Sequence, residues 1–383
     1  WTSFRVIARS RGGLIVTLPI ALIAVMILPE HMENMGTPLL PRTEYVLTYL
    51  TASLTDPITV WVIIPMLTLL WAGELVWRER AAGLGEITDA APVPEWVPFL
   101  GKFLGLGLVL AVWMAVLMTI GILIQVSMDY HRFEIGLYLK VLFGLQLPEY
   151  LLFALLALVV HVVVDQKYVG HLAAIVAYVV IVMAPLFGIE HNLLTYGAGP
   201  GWSYSEMRGF GPSLGPWLWF KLYWAAWALL LAVAAKLLWV RGREPGFRVR
   251  LRLARRRLAG STAGVAAMAV GLVLALGGFV FHNTNVRNDW RTSAASVALQ
   301  AEYERRYGRY EGIPQPERTA TSLRVEIHPE RGAATVRVLK SPEARARLVR
   351  NRLDDLRHRE EHATRVPLLG TRRDRRRCRR SSG

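Results

Sequence analysis

The sequence predicts an all-α polytopic membrane protein of about seven transmembrane helices, followed by a short extracytoplasmic helix, a β-hairpin and a basic tail. Three observations carry that expectation. Of 383 residues, 53% are apolar and 13 are Trp, more than a soluble domain usually carries. Seven apolar runs reach or approach the roughly 20 residues that a helix rising about 1.5 Å per residue needs to cross hydrocarbon. Lys and Arg collect in alternate connections, as basic loops do when they stay cytoplasmic.

Arg5, Arg9 and Arg11 precede the first run, residues 13–29. The second, 57–77, has Trp61 and Trp77 near its two ends, at headgroup level. The third, 98–128, places Gly101 and Gly105 where another helix can approach closely, and Gln125 where it can bond within the bundle. Residues 129–147 mix charged and apolar positions and read as interfacial, with Pro148 turning them into a fourth span, 148–164, that has room to begin earlier. Glu149 at that entrance is expected to stay hydrated. Asp165, Gln166 and Lys167 break the chain before the fifth span, 169–188. A loop rich in Gly, Pro, Ser and Tyr leads to the sixth, 216–240, where Lys221 and Lys236 lie near the ends and extend their stems to the headgroups. Residues 262–281 carry no charge and form the seventh.

The domain plan is a six-span unit over 1–240, a basic linker over 241–261, the seventh span, and an extracytoplasmic start of a β-domain over 282–340. The positive loops place the amino terminus in the cytoplasm and everything after His282 outside. In the linker, Arg241, Arg243, Arg248, Arg250, Arg252, Arg255, Arg256 and Arg257 read as a topogenic segment that binds anionic lipid, each worth about 1 kcal/mol near the surface. Ser293 caps a helix running to Tyr310, and two alternating stretches, Leu323 to Ile327 and Val336 to Val338, form a hairpin. After Lys340 the chain turns Arg-rich; residues 341–383 read as a disordered or out-of-frame tail that offers the hairpin no strand partner. The net charge of +16 sits in the linker and this tail and marks no specific nucleic-acid surface. The opening Trp1 and the lack of a cleavable signal peptide suggest a fragment of a longer reading frame.

Between the second and third spans, residues 73–102 form the one strongly charged, helix-patterned stretch held between apolar runs. Glu74 precedes Arg78 by four residues, the favourable order for a helix pair, while Leu84, Ile87 and Ala91 share a side. Gly83 and Gly85 weaken this helix and Pro92 and Pro94 stop it, so it needs packing against a membrane surface or a partner.

Six spans with such a loop resemble the membrane half of an ATP-binding-cassette exporter of the type-two permease class. The match is Gly73, Glu74, Arg78, Glu79, Arg80, Gly83, Leu84 and Glu86, with the exit at Ala90, Pro92 and Pro94. The stretches YHRFEIGLYLKVLFGLQLPEYLLFALLALVVHVVVDQKYVGH, HNTNVRNDWRTS and ALQAEYERRYGRYEGIPQP are similar to a bacterial family in which that permease is fused to a zinc aminopeptidase of the aminopeptidase N type. The resemblance implies a bacterial inner-membrane protein, a separate ATPase subunit and a second permease half as partners, and Glu74, Arg78, Glu79, Arg80, Leu84, Glu86 and Ile87 as the ATPase contact. Zinc is implied only for a full-length relative. Rival readings are a membrane anchor for such a peptidase and a scaffold without transport.

The chain lacks the residues for either chemistry. A zinc peptidase of that type needs His-Glu-x-x-His; the inverted pattern ending at His362 lies in an Arg and Glu rich tail without a third ligand. Cys378 is the single cysteine, which excludes an intrachain disulfide. Gly101-Lys102 is followed by Phe103, not by the hydroxyl of a phosphate-binding loop, so any ATPase is a partner. His161 and His171 flank the Lys167 turn as interfacial groups or a proton relay.

Overall fold

A computed structural model describes residues 40–56, 60–84, 96–164, 166–211, 213–239, 246–311, 317–328 and 333–343, with the pieces 33–34, 37–38, 92–94 and 362–367 and the single residues Pro19 and Ala90. Apart from Pro19, the expected first span lies outside these. The chain divides into two compact units, Trp1–Ala294 and Ala295–Gly383.

Among the described residues the first unit is helical apart from a two-residue ladder of β1 (Glu33–Asn34) and β2 (Thr37–Pro38) and an isolated bridge between Ser205 and Gly209. Its described helices are α1 (Thr43–Leu50), α2 (Ile63–Ala81), α3 (Trp96–Ser127), α4 (Ile135–Val163), α5 (Lys167–Met183), α6 (Leu214–Leu238), α7 (Phe247–Arg257) and α8 (Gly260–Phe281). Among the described residues five helices are long and apolar enough to cross a membrane: α3, α4, α5 with its tail to Phe187, α6, and α8 with its tail to Val286. α2 is 19 residues long but ends in Glu74, Arg78, Glu79 and Arg80.

Both faces of these helices are apolar, so packing fit decides which side turns inward. On α3, Leu106, Leu110, Met114 and Leu117 are buried while Leu104, Leu108, Val112 and Leu123 are exposed, an oily outer surface suited to lipid. α4 is central, packed against α2, α3, α5 and α6. Close approach occurs at Gly107 and Gly121, where an added Cβ would meet Leu151 at 2.9 Å and Leu50 at 2.7 Å. Gly101, expected at such a contact, faces open space. Trp61 and Trp77 are buried too: Trp61 donates to the Tyr49 carbonyl and Trp77 to His161, so both indoles bond inside the protein.

Two expectations about helix limits change. Residues Glu74 to Ala81 form no separate helix but continue α2, because nothing between Trp77 and Ala81 breaks it. It stops at Gly83, φ 71°, where Leu84 N–H reaches the Glu79 carbonyl and Gly83 N–H that of Arg80, a Schellman cap that needs glycine. Residues 85–89, and with them Glu86 and Ile87, lie outside the described residues. Likewise, residues 135–147 form no separate segment before the proline; α4 runs through Pro148 as one helix. A π-helical stretch, Leu139–Gln146, widens the turn before the proline and clears the ring from the carbonyl four residues back.

Side-chain bonds sort the helix ends. At one end, Lys102 bonds the Leu75 carbonyl, Glu74 meets Lys167, and Lys236 bonds Thr262, joining α2, α3, α5, α6 and α8. At the other, Gln125 donates to the Pro41 carbonyl and accepts from Tyr138, as the sequence leads one to expect, and Gln146 reaches Ala52. The described helices thus alternate in direction, with Arg78, Arg80, Lys102, Lys167 and α7 at one end.

Ser293, the first residue of α9 (Ser293–Tyr307), gives both its hydroxyl and N–H to the Glu190 carboxylate instead of capping its own helix. These donors, the hydroxyl first, hold that carboxyl below the usual carboxylate range, so the clasp is present at neutral pH and lost as pH falls through the lowered value. In the second unit β3 (Glu317–His328) and β4 (Ala333–Glu343) pair antiparallel, with Leu323 opposite Val338 and Val325 opposite Val336. The hairpin is longer than its alternating core. It also gains a partner from the tail: β5 (His362–Pro367) pairs with β4, whose outer edge otherwise presents open backbone donors and acceptors.

Candidate functional site

The corner that closes α2 is built from the expected contact residues, but their partners differ from the sequence reading. Glu74 sits 3.7 Å from Lys167 on α5 and not on Arg78. Glu79 accepts from Lys102 at 2.8 Å, and Lys102, nearly buried, also donates to the Leu75 carbonyl at 2.8 Å. The first pair is half exposed and contributes under about 1 kcal/mol; the second, desolvated on its lysine side, is the firmer tie. Arg80 lies 5.4 Å over the Trp77 ring. Arg78 is exposed with no ion-pair partner among the described residues, and Leu84 beyond the cap is 49% exposed.

Directly beneath, the rings of His161 and His171 stack edge to face at 4.7 Å against Gly73 and Gly170. Trp77 Nε1 donates to His161 Nδ1 at 3.3 Å, His171 Nδ1 lies 2.8 Å from the Lys167 carbonyl, and His161 Nε2 has no partner in hydrogen-bond geometry among the described residues. His161 is therefore a core group locking α2, α4 and α5 together, rather than an interfacial one.

The arginine cluster separates into two kinds. Arg250 is buried; it donates to the carbonyls of Val162 and Val163 at the end of α4 and of Leu238 at the end of α6, at 2.6–3.0 Å. Arg257 reaches the Trp239 carbonyl at 3.0 Å. Both satisfy helix C-termini, where cations are favoured, which gives them a structural role. Arg248, Arg252, Arg255 and Arg256 are exposed beside exposed Val249 and Leu251, the composition of a surface-lying helix. Arg241 and Arg243 lie outside the described residues. Arg250→Ala is expected to cost at least about 1.5–3 kcal/mol, because several carbonyls lose one charged donor, and Arg250→Lys to recover only part of it. Unfolding midpoints of the detergent-solubilised chain check this.

At the opposite end lies a group the sequence reading missed. Glu149 and Lys221, both 7% exposed, form a pair at 3.4 Å. Glu149 Oε1 also accepts from Leu54 N–H at 2.9 Å, and Lys221 donates to the Gly197 carbonyl at 2.6 Å. Neither is hydrated at a headgroup as expected. The cause is the loop between α5 and α6, which folds back into the bundle: Thr195 and Ala198 are buried, and the Ala198 carbonyl accepts from Trp224. Irregular backbone is stable there because side chains satisfy its carbonyls. A Lys two turns inside an apolar helix was the available signal.

No family model matches the chain, and the searches of curated proteins and of solved structures find no similar protein.

Proposed function

We propose that this chain is a permease half of an ATP-driven exporter in a bacterial inner membrane, with the amino terminus in the cytoplasm and the segment after His282 outside. The corner from Glu74 to Leu84 receives a separate ATPase subunit, a second permease half completes the path, and the exposed arginines of α7 rest on anionic lipid. On this reading the chain supplies no catalytic residue and no cofactor.

The supporting observation is how the corner is mounted. Arg78 and Leu84 project outward from a rigid Schellman cap, while Glu79 is tied to α3 and Glu74 to α5. Force applied to the exposed residues reaches two further helices without passing through a flexible joint. Arg78→Glu together with Arg80→Glu is expected to lower the ATP hydrolysis that copurifies with the full chain from its own membranes about tenfold, equivalent to 1.4 kcal/mol of lost contact. The same activity retained by the charge-reversed chain, or none recovered with the unaltered chain, overturns the proposal.

A further inference from the structure

The buried pair of Glu149 and Lys221 forms part of the wall of a cavity of about 710 Å³ at the end of the bundle away from Arg78. Tyr45, Trp202, Tyr204 and Trp217 contribute aromatic wall. Its charges do not balance. Lys221 neutralises Glu149, and Glu206 is paired with Arg42 at 3.0 Å, but Glu44, on the first turn of α1, has no cation partner among the described residues.

We infer that this cavity binds a monovalent organic cation with an apolar body, such as an aryl or alkyl ammonium or phosphonium. The Glu44 carboxylate supplies the charge, and ring faces, whose quadrupole attracts cations and whose carbon surface covers an apolar body, supply the rest. Lys221 already lies 5.9 Å over the Trp217 ring, which leaves Trp202 and Tyr45 for the ligand. An anion would meet unbalanced negative charge. Ionisable side chains buried within apolar helices are expensive to keep, and here the Glu149 to Lys221 pair holds α4, α6 and the inturned loop in the arrangement that shapes the wall. The inference stands apart from the coupling proposal, since binding is read on the chain alone, without nucleotide or partner.

The test uses two probes of matched shape and opposite charge, tetraphenylphosphonium and tetraphenylborate. Each is titrated into the full chain in phosphatidylcholine nanodiscs by calorimetry, with the heat of protein-free discs subtracted. The expected result is saturable binding of the cation and not of the anion, weakened about tenfold by Glu44→Gln and by Trp202→Ala. Glu44 is partly exposed, so its substitution is expected to leave the unfolding midpoint unchanged, which separates lost binding from lost fold. Failure of the cation to saturate, equal binding of both probes, or undiminished binding by a folded Glu44→Gln chain overturns the inference.

Discussion

Glu149→Ala is expected to destabilise the helical unit by about 3–5 kcal/mol, because it strands the Lys221 ammonium beneath the inturned loop with only the Gly197 carbonyl to satisfy it. The same truncation removes the acceptor of Leu54 N–H, a buried donor that then has no replacement. The pair itself is a poor source of net stability, since two charges must leave water to make it. Glu149→Leu combined with Lys221→Met is therefore expected to recover most of what either single change loses. Unfolding of the unaltered chain, Glu149→Leu, Lys221→Met and the double variant in lipid discs measures the cycle. A single substitution costing less than about 1 kcal/mol means that the lysine escapes to solvent and the buried arrangement is wrong.

The second large effect is expected at Gly73. A Cβ there would lie 2.4 Å from His171 Nε2 and 2.7 Å from His161 Cε1, distances that only movement of two rings in a packed core can relieve. Gly73→Ala is expected to cost at least about 1–3 kcal/mol, as overpacked cores do. Adding His171→Ala removes the nearer ring, so the two changes are expected to couple favourably by about 0.5–3 kcal/mol. Gly101→Ala is the control: its Cβ meets nothing within 4 Å, and helix propensity alone favours the change. Equal losses at both glycines in thermal melts would leave the three-helix junction without support.

Features set by local chemistry were legible in the sequence. The apolar lengths that mark α3, α5, α6 and α8 need no tertiary knowledge, and the hairpin strands follow from alternation in Leu323, Val325, Val336 and Val338. Gln125 was legible because a lone amide in an apolar run must find a partner inside. What failed to show depends on chain brought from elsewhere. Lys221 looks like a snorkelling lysine if distance is counted from the end of its own helix; the carbonyl it finds belongs to a loop 24 residues earlier. Arg250 looks like any other basic residue in its run, and only the convergence of two helix C-termini sets it apart. Gly83 reads as a helix weakener by propensity, whereas its positive φ makes it the stop. At the candidate contact, the identities of the exposed residues were readable, but the partners of Glu74 and Glu79 were not, because Lys102 and Lys167 come from other helices.

The widened stretch from Leu139 to Gln146 fixes an angular offset between the two halves of α4. Winding that stretch at 3.6 residues per turn with its length unchanged would rotate everything before it by about 100°. Tyr138 would then swing away from Gln125, so the surplus residue acts as an indexing device that sets how the start of this helix meets its neighbour.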